Sequence, residues 1–266
     1  HVLFRRQRQM CIRDRPYDDL AGVQALHGRA VAVASNGTSG AGLLELDFRQ
    51  EAAVPWQHSP AAQSAPPLED ISCAVALWFE GSGGRRTHAW YYPPSNGSLG
   101  AAPLLVKSHS GPTAMARRGL NLALQYWTSR GWGVVDVNYG GSTGFGRAYR
   151  ERLNGGWGVV DVEDCAAAAQ ALIASGRANP AQIAIEGGSA GGFTTLACLC
   201  FSDVFRVGAC RYAVCDLSAM AEDTHRFEAR YLDSLVGAWP AERRTYEERS
   251  PPVSYTHLRA HETSQH

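Results

Sequence analysis

The stretch Gly187-Gly188-Ser189-Ala190-Gly191-Gly192 holds a serine with a glycine two residues before it and another two residues after it. The apolar run Ile183-Ala184-Ile185 precedes it, and the helix-forming segment Gly191 to Phe201 follows. A Gly-x-Ser-x-Gly pattern between a strand and a helix forces the chain to reverse sharply. Such a turn leaves the serine in a strained backbone conformation that lifts Oγ out of the sheet. Gly187 and Gly191 are then required because a Cβ at either place would press on neighbouring backbone. The first turn of the following helix aims free N–H groups and a positive dipole at the hydroxyl. The chemistry this predicts is nucleophilic attack by Ser189 on an acyl carbon.

A nucleophile of that kind needs a place for the negative charge that develops on the substrate oxygen. His109-Ser110-Gly111-Pro112 follows the short apolar run Leu104-Leu105-Val106-Lys107 and precedes a helical stretch. Behind such an elbow, one oxyanion donor is the amide after the serine, here Ala190, and the second comes from the loop after an upstream strand, here Gly111. Each donor of this type contributes about 2.7–4 kcal/mol to the transition state. His-x-Gly-Pro on its own reads equally well as a simple turn; the elbow in the same chain favours the functional reading.

The proton has to be handled by a histidine and an acid, which follow the serine in the order Ser, Asp or Glu, His. Asp216 ends the predicted strand Val207–Cys215, a place where an acid could serve, although a structural role is favoured. His225 lies nine residues later with no further strand between, and reads as a polar partner within its own segment. Asp161, Glu163 and Asp164 precede the serine and open an alanine-rich helix, where acidic residues complement the dipole. Cys198, Cys200, Cys210 and Cys215 do not make a metal cluster: an i,i+2 pair on a helix does not share a face, and buried small thiols are the expectation. No metal and no cofactor are implied.

The elements that must position these groups alternate. Strands are predicted at 72–79, 88–92, 104–107, 134–137, 183–185 and 207–215, with helices at 120–130, 159–175 and 191–201. Short apolar strands alternating with helices argue for an α/β domain built on a mostly parallel sheet with helices on both faces. Upstream, Ala30–Ala34 and Gly42–Asp47 read as strands joined by Asn36-Gly37 and Ser39-Gly40 turns, and the Pro-, Ser- and Ala-rich stretch 54–67 reads as a boundary. Fifty residues of this kind cannot bury a core alone, so 16–69 is expected to be the last strands of a larger β-structure plus a linker.

The chain has 266 residues, 45% hydrophobic and 19% charged, with 25 basic and 25 acidic side chains. The even balance offers no basic surface for nucleic acid or anionic membrane, and no apolar run is long enough to span a bilayer. Seven cysteines, an odd number, do not suggest a secreted disulfide framework. A cytoplasmic location is expected from the lack of a secretory signal. Residues 1–15 and 253–266 lack a usable periodicity and read as non-native sequence scars, so the natural protein is expected to be longer at both ends.

Four ordered blocks carry a resemblance. Pro103 to Thr113 is similar to Pro-Leu-Leu-Val-x-x-His-Gly-Gly-Pro-Thr, Asn138 to Arg147 to Asn-Tyr-Arg-Gly-Ser-Thr-Gly-Tyr-Gly-Arg, and Gly187 to Leu196 to Gly-Gly-Ser-Ala-Gly-Gly-Tyr-Thr-Thr-Leu. Asp223 to Leu232 also matches. Together they resemble the prolyl oligopeptidase family of serine peptidases, on the dipeptidyl-aminopeptidase and acylaminoacyl-peptidase side, from about residue 70 to Pro252. The resemblance implies an α/β-hydrolase domain, truncated here to 70–252, behind the end of a β-propeller. It also implies that the triad Asp and His lie beyond Pro252 and are absent from this chain. On that reading the parent protein hydrolyses peptide bonds in short peptides through an acyl-enzyme, and this fragment is nearly inactive. A carboxylesterase on the same scaffold and a non-catalytic binding protein with a hydrolase fold are the alternatives. Four positions depart from the blocks. Ser110 replaces a glycine, where an unusual backbone angle would be costly. Gly140 replaces Arg and removes a cation, while Phe145 and Phe193 replace Tyr and remove hydroxyls.

Overall fold

The computed structural model describes residues 17–49, 57–60 (backbone only), 66–95, 100–223 and 230–251. The two predicted scars and His225 lie outside the described residues. Two sheets are present. The first is antiparallel, in the order β1 (Asp19–Leu26), β2 (Arg29–Ser35), β3 (Gly42–Asp47), β4 (Gln57–Pro60). Ala30, Ala32 and Ala34 of β2 and Leu44 of β3 are buried, whereas β1 is almost wholly exposed. The predicted strands at 30–34 and 42–47 are therefore the inner pair of four.

The second sheet has six strands: β5 (Val75–Glu80), β6 (Arg86–Tyr92), β7 (Ala102–Ser108), β8 (Gly133–Asn138), β9 (Ala178–Gly188) and β10 (Val207–Arg211). Their spatial order is β10-β9-β7-β8-β6-β5. The four strands β10, β9, β7 and β8 run parallel, and β6 and β5 complete the sheet antiparallel. The helices are α1 (Leu122–Thr128), the single turn α2 (Arg147–Arg150), α3 (Val160–Ala174), α4 (Ala190–Phe201), α5 (Leu217–Asp223), α6 (Tyr231–Leu235) and α7 (Arg243–Arg249).

Both faces of β7, β8 and the second half of β9 are buried, which is why these stretches read as continuous apolar runs, whereas β10 at the sheet edge is largely exposed. Val106, Val135, Val137, Ile183 and Ile185 meet Leu172, Cys165 and Ala168 of α3 and Phe193, Ala197 and Cys198 of α4. The small residues of α3 let it lie close to the strands. On the other face Leu105, Val134, Ala184 and Tyr92 meet Leu124 of α1, with Trp127 and Trp132 beside them. Asn121 begins α1 by accepting from the amides of Ala123 and Leu124, so the helix starts two residues later than its apolar spacing suggests.

Several expectations need correcting. The strand expected at 207–215 ends at Arg211, because Tyr212 takes a left-handed φ of 42° and turns the chain. Asp216 therefore does not end a strand: its carboxylate accepts from the amides of Ser218 and Ala219 at the start of α5. Asp161 and Glu163 lie in the first turn of α3 as expected, and the structure gives Asp161 and Asp164 further partners. Both are buried, and only Glu163 of that trio faces solvent. Of the described cysteines, Cys165 and Cys198 are buried, but Cys73, Cys210 and Cys215 are exposed. Among the described residues no helix is long and apolar enough to cross a membrane. No group of three or more metal-ligating side chains converges among them either.

Candidate active site

Ser189 sits at the junction of β9 and α4 with φ 55° and ψ −121°, a conformation that costs a non-glycine residue of order 1–3 kcal/mol. Backbone bonds hold it there. Its amide donates to the Arg211 carbonyl (3.1 Å), and its carbonyl accepts from Phe193 (3.0 Å) and Val214 (3.4 Å). The bend is too tight for side chains on either side. A Cβ on Gly187 would lie 2.2 Å from the Gly191 carbonyl oxygen, and one on Gly191 would lie 2.3 Å from that of Ser108. The side chain of Ser189 is partly exposed and makes no hydrogen bond among the described residues.

The loop after β7 abuts this bend. Ser108 Oγ donates to Gly191 O at 2.8 Å, and Ser110 Oγ donates to Gly188 O at 3.0 Å. Gly111 takes φ 77°, the left-handed region that favours glycine. Ser110 is not in that region, so the strain expected from replacing a glycine there does not arise; the left-handed position is Gly111, one residue later. Neither the Gly111 nor the Ala190 amide donates a hydrogen bond among the described residues. Gly140, expected only as a lost cation, is crowded: a Cβ there would lie 2.7 Å from Val160 and 3.0 Å from Arg152 Cβ. Its amide donates to Asp164.

His109 braces this loop, a role its position in the sequence did not reveal. Its ring stacks on Tyr139, centroids 4.2 Å apart. Nδ1 lies 3.0 Å from the Gly111 carbonyl, and Nε2 lies 2.8 Å from Ser142 Oγ. Burial lowers its pKa to about 4, so the ring is neutral at pH 7. A carbonyl can only accept, so Nδ1 carries the proton, and Nε2 faces Ser142 Oγ, whose single hydrogen also has the Tyr139 carbonyl 2.8 Å away. Both ring nitrogens are thereby used. His88 is buried and likewise neutral, its pKa lowered to about 4 by desolvation, and its Nδ1 lies 3.1 Å from Asn138 Nδ2. Asn138 Oδ1 accepts from Ala116, which fixes the same loop further along. Among the described residues no histidine bonds to Ser189.

The carboxylates are equally committed. Asp161 accepts from Thr194 Oγ1 and the Gly158 amide, both at 2.6 Å. Its pKa is nonetheless raised to about 6, because burial outweighs those bonds. Asp164 accepts from the amides of Ser82 and Gly140 at 2.7 Å, and burial raises its pKa as well. Asp161 thus pins α3 to α4, and Asp164 pins α3 to the loops at Ser82 and Gly140.

A family profile described as the prolyl oligopeptidase family matches residues 119–264, more than half of the chain and including Ser189. The chain belongs to the prolyl oligopeptidase family. Among curated members of the family, a dipeptidyl aminopeptidase BIII from Pseudoxanthomonas mexicana is 32% identical over 135 residues, covering 50% of this chain and 20% of that protein. An acylamino-acid-releasing enzyme from Arabidopsis thaliana is 34% identical over 119 residues, covering 44% and 16%. Among solved structures, a puromycin-hydrolyzing peptidase of Mycobacterium tuberculosis superposes with a TM-score of 0.83 at 43% identity, over 90% of this chain and 37% of that one. A Pyrococcus horikoshii acylaminoacyl peptidase superposes at 0.73 with 20% identity, which supports the fold. The mixed six-stranded sheet with its helices is the α/β-hydrolase fold of these neighbours, and the antiparallel sheet before it is consistent with propeller strands. The chain spans about a fifth of its first curated relative and little more than a third of the solved one.

Proposed function

We propose that this chain is part of a serine peptidase that cleaves peptide bonds in short peptides through an acyl-enzyme. The observation that carries the reading is Ser189 at φ 55° between Gly187 and Gly191, with its hydroxyl uncommitted and the amides of Ala190 and Gly111 unbonded beside it. Ser189 Oγ attacks the carbonyl carbon, and the carbonyl oxygen takes up negative charge against the two amides. Collapse expels the amine, which must gain a proton, and water then hydrolyses the ester on Ser189. The hydrolysis named for the puromycin-hydrolyzing relative supports a peptidase over the esterase alternative.

The base that takes the Ser189 proton and the acid that orients it are assigned to parts of the natural protein outside this chain. His88 is buried and His109 half-buried, both are neutral and occupied, and Asp161, Asp164 and Asp216 accept hydrogen bonds from other groups. Without a general base, serine is a poor nucleophile, so the 266-residue chain is proposed to be nearly inactive. The propeller reading of the antiparallel sheet and the domain boundary near residue 70 form part of the same proposal.

Labelling by a fluorophosphonate probe tests it in two proteins. The product of the gene extended on both sides should label at Ser189 and lose the label as S189A. The 266-residue chain should label weakly. Robust labelling of the short chain would overturn the proposed inactivity. An extended protein that reacts elsewhere, or not at all, would overturn the assignment of Ser189.

A further inference from the structure

The segment that runs from Gly111 to Asn121 is fastened to the antiparallel sheet by a seam of contacts that the reaction does not use. Arg117 pairs with Asp19, and Arg118 Nη1 lies 3.3 Å from Asp18 Oδ1. The Leu120 amide donates to the Asn36 carbonyl at 2.7 Å. Gly119 lies so close to β2 that a Cβ there would fall 2.4 Å from Ser35 Oγ. Exposed ion pairs alone are weak. Here, however, Arg118 is held in place before it meets Asp18, since its guanidinium lies over the Trp90 ring at 4.8 Å. Trp90 in turn stands edge-on to His88 at 4.5 Å, and His88 bonds the Asn138 that fixes Ala116.

From this geometry we infer that Arg117, Arg118 and Gly119 are positioning residues: they make the order of the Gly111 loop depend on the seating of the antiparallel sheet. Asp18 and Asp19 are their partners on that sheet. The inference deepens the proposed function, because it rests on Gly111 supplying an oxyanion amide. Between Gly111 and the seam the loop is held by the His109 ring at Gly111 O, Ala114 N–H to Gly111 O, Thr113 Oγ1 with Tyr231 Oη, Thr143 N–H to Ala114 O, and Ala116 N–H to Asn138 Oδ1, the last of which ties into the seam through His88 and Trp90. Releasing the far end therefore loosens the near end. Trp90 and Asn138 belong to the hydrolase sheet, so the seam is read by the rigid core on one side and by the β1–β2 pair on the other.

Amide hydrogen exchange in the 266-residue chain tests this without relying on any reaction. In the double variant D18N/D19N, exchange between Gly111 and Asn121 should quicken by between about twofold and thirtyfold, the factor for losing two exposed pairs, while β7, β8 and β9 keep their protection. High salt should quicken the same amides in the parent chain and leave the variant unchanged. Exchanging charges, with Asp19→Arg and Arg117→Asp together, should restore protection. Gly119→Ala should open the seam by crowding alone, and Gly119→Ala with Ser35→Ala should close it again. Unchanged exchange over 111–121 in D18N/D19N and in Gly119→Ala would overturn the inference, as would a failure of both paired variants to restore it. If the phosphonate test failed while exchange behaved as expected, the function reading would fall and the mechanical coupling would stand.

Discussion

Gly187 and Gly191 touch backbone to backbone: a methyl group on Gly187 would lie 2.2 Å from the carbonyl oxygen of Gly191 and 2.4 Å from its carbon. No side-chain rotation relieves such a contact, since the obstacle is main chain tied down by Ser108 Oγ. Gly187→Ala and Gly191→Ala are each expected to destabilise the protein by about 3 kcal/mol or more, at the upper end of overpacking costs. Denaturant unfolding of the two variants checks this. Midpoints within experimental error of the parent would show that the bend is looser than described.

Ser189 itself is under backbone strain that glycine would relieve and alanine would not. Ser189→Gly is expected to be about 1 kcal/mol more stable than Ser189→Ala, the relief of the unfavourable φ being partly offset by the entropy of an added glycine. Both variants should lose phosphonate labelling in the extended protein. Thermal unfolding of the pair decides the point, and equal stability would argue against strain at this residue.

Ser110 presents the opposite case. Its φ is ordinary, and its hydroxyl donates to the Gly188 carbonyl on the elbow. Restoring the glycine of the family block, Ser110→Gly, is therefore expected to cost about 1 kcal/mol through the lost hydrogen bond. A gain in stability would instead mean that the serine is strained.

Asp161 gives stability a pH dependence of definite sign. Burial raises its pKa to about 6 in the folded protein against an ordinary 3.8, so the folded state holds the proton more tightly. Its contribution is fully present below about pH 4 and is lost as pH rises through 6. Asp136, raised to about 6 by burial, acts in the same direction. Asp161→Asn removes one of these titrations, so the fall in stability between pH 4 and pH 6 should be shallower in the variant. Urea midpoints measured across that range for both proteins test it. Identical slopes would remove Asp161 as the cause.

The α/β class and the strand–serine–helix bend were legible because both are local. Apolar runs of four to six residues, broken by glycines and alternating with helical spacing, specify buried parallel strands, and a serine between glycines specifies the bend. The extra residues of β9 at its start, Ala178 to Gln182, were not legible, since they include Pro180 and are largely exposed. The end of β10 was missed because Tyr212 enters a left-handed conformation that its residue type does not announce.

The sequence alone carried which serine stands at the turn and which glycines it needs, since both follow from steric limits within a few residues. The tertiary structure decided what the remaining polar groups do. Asp161 and Asp164 look like dipole partners in a row of residues, yet they accept amides and a hydroxyl from segments up to 82 residues away. His109 looks like a turn residue, yet it is spent as a neutral brace between Tyr139, Ser142 and Gly111. Burial and hydrogen-bond partners set the charge of such groups, and both depend on which distant strands the fold brings together.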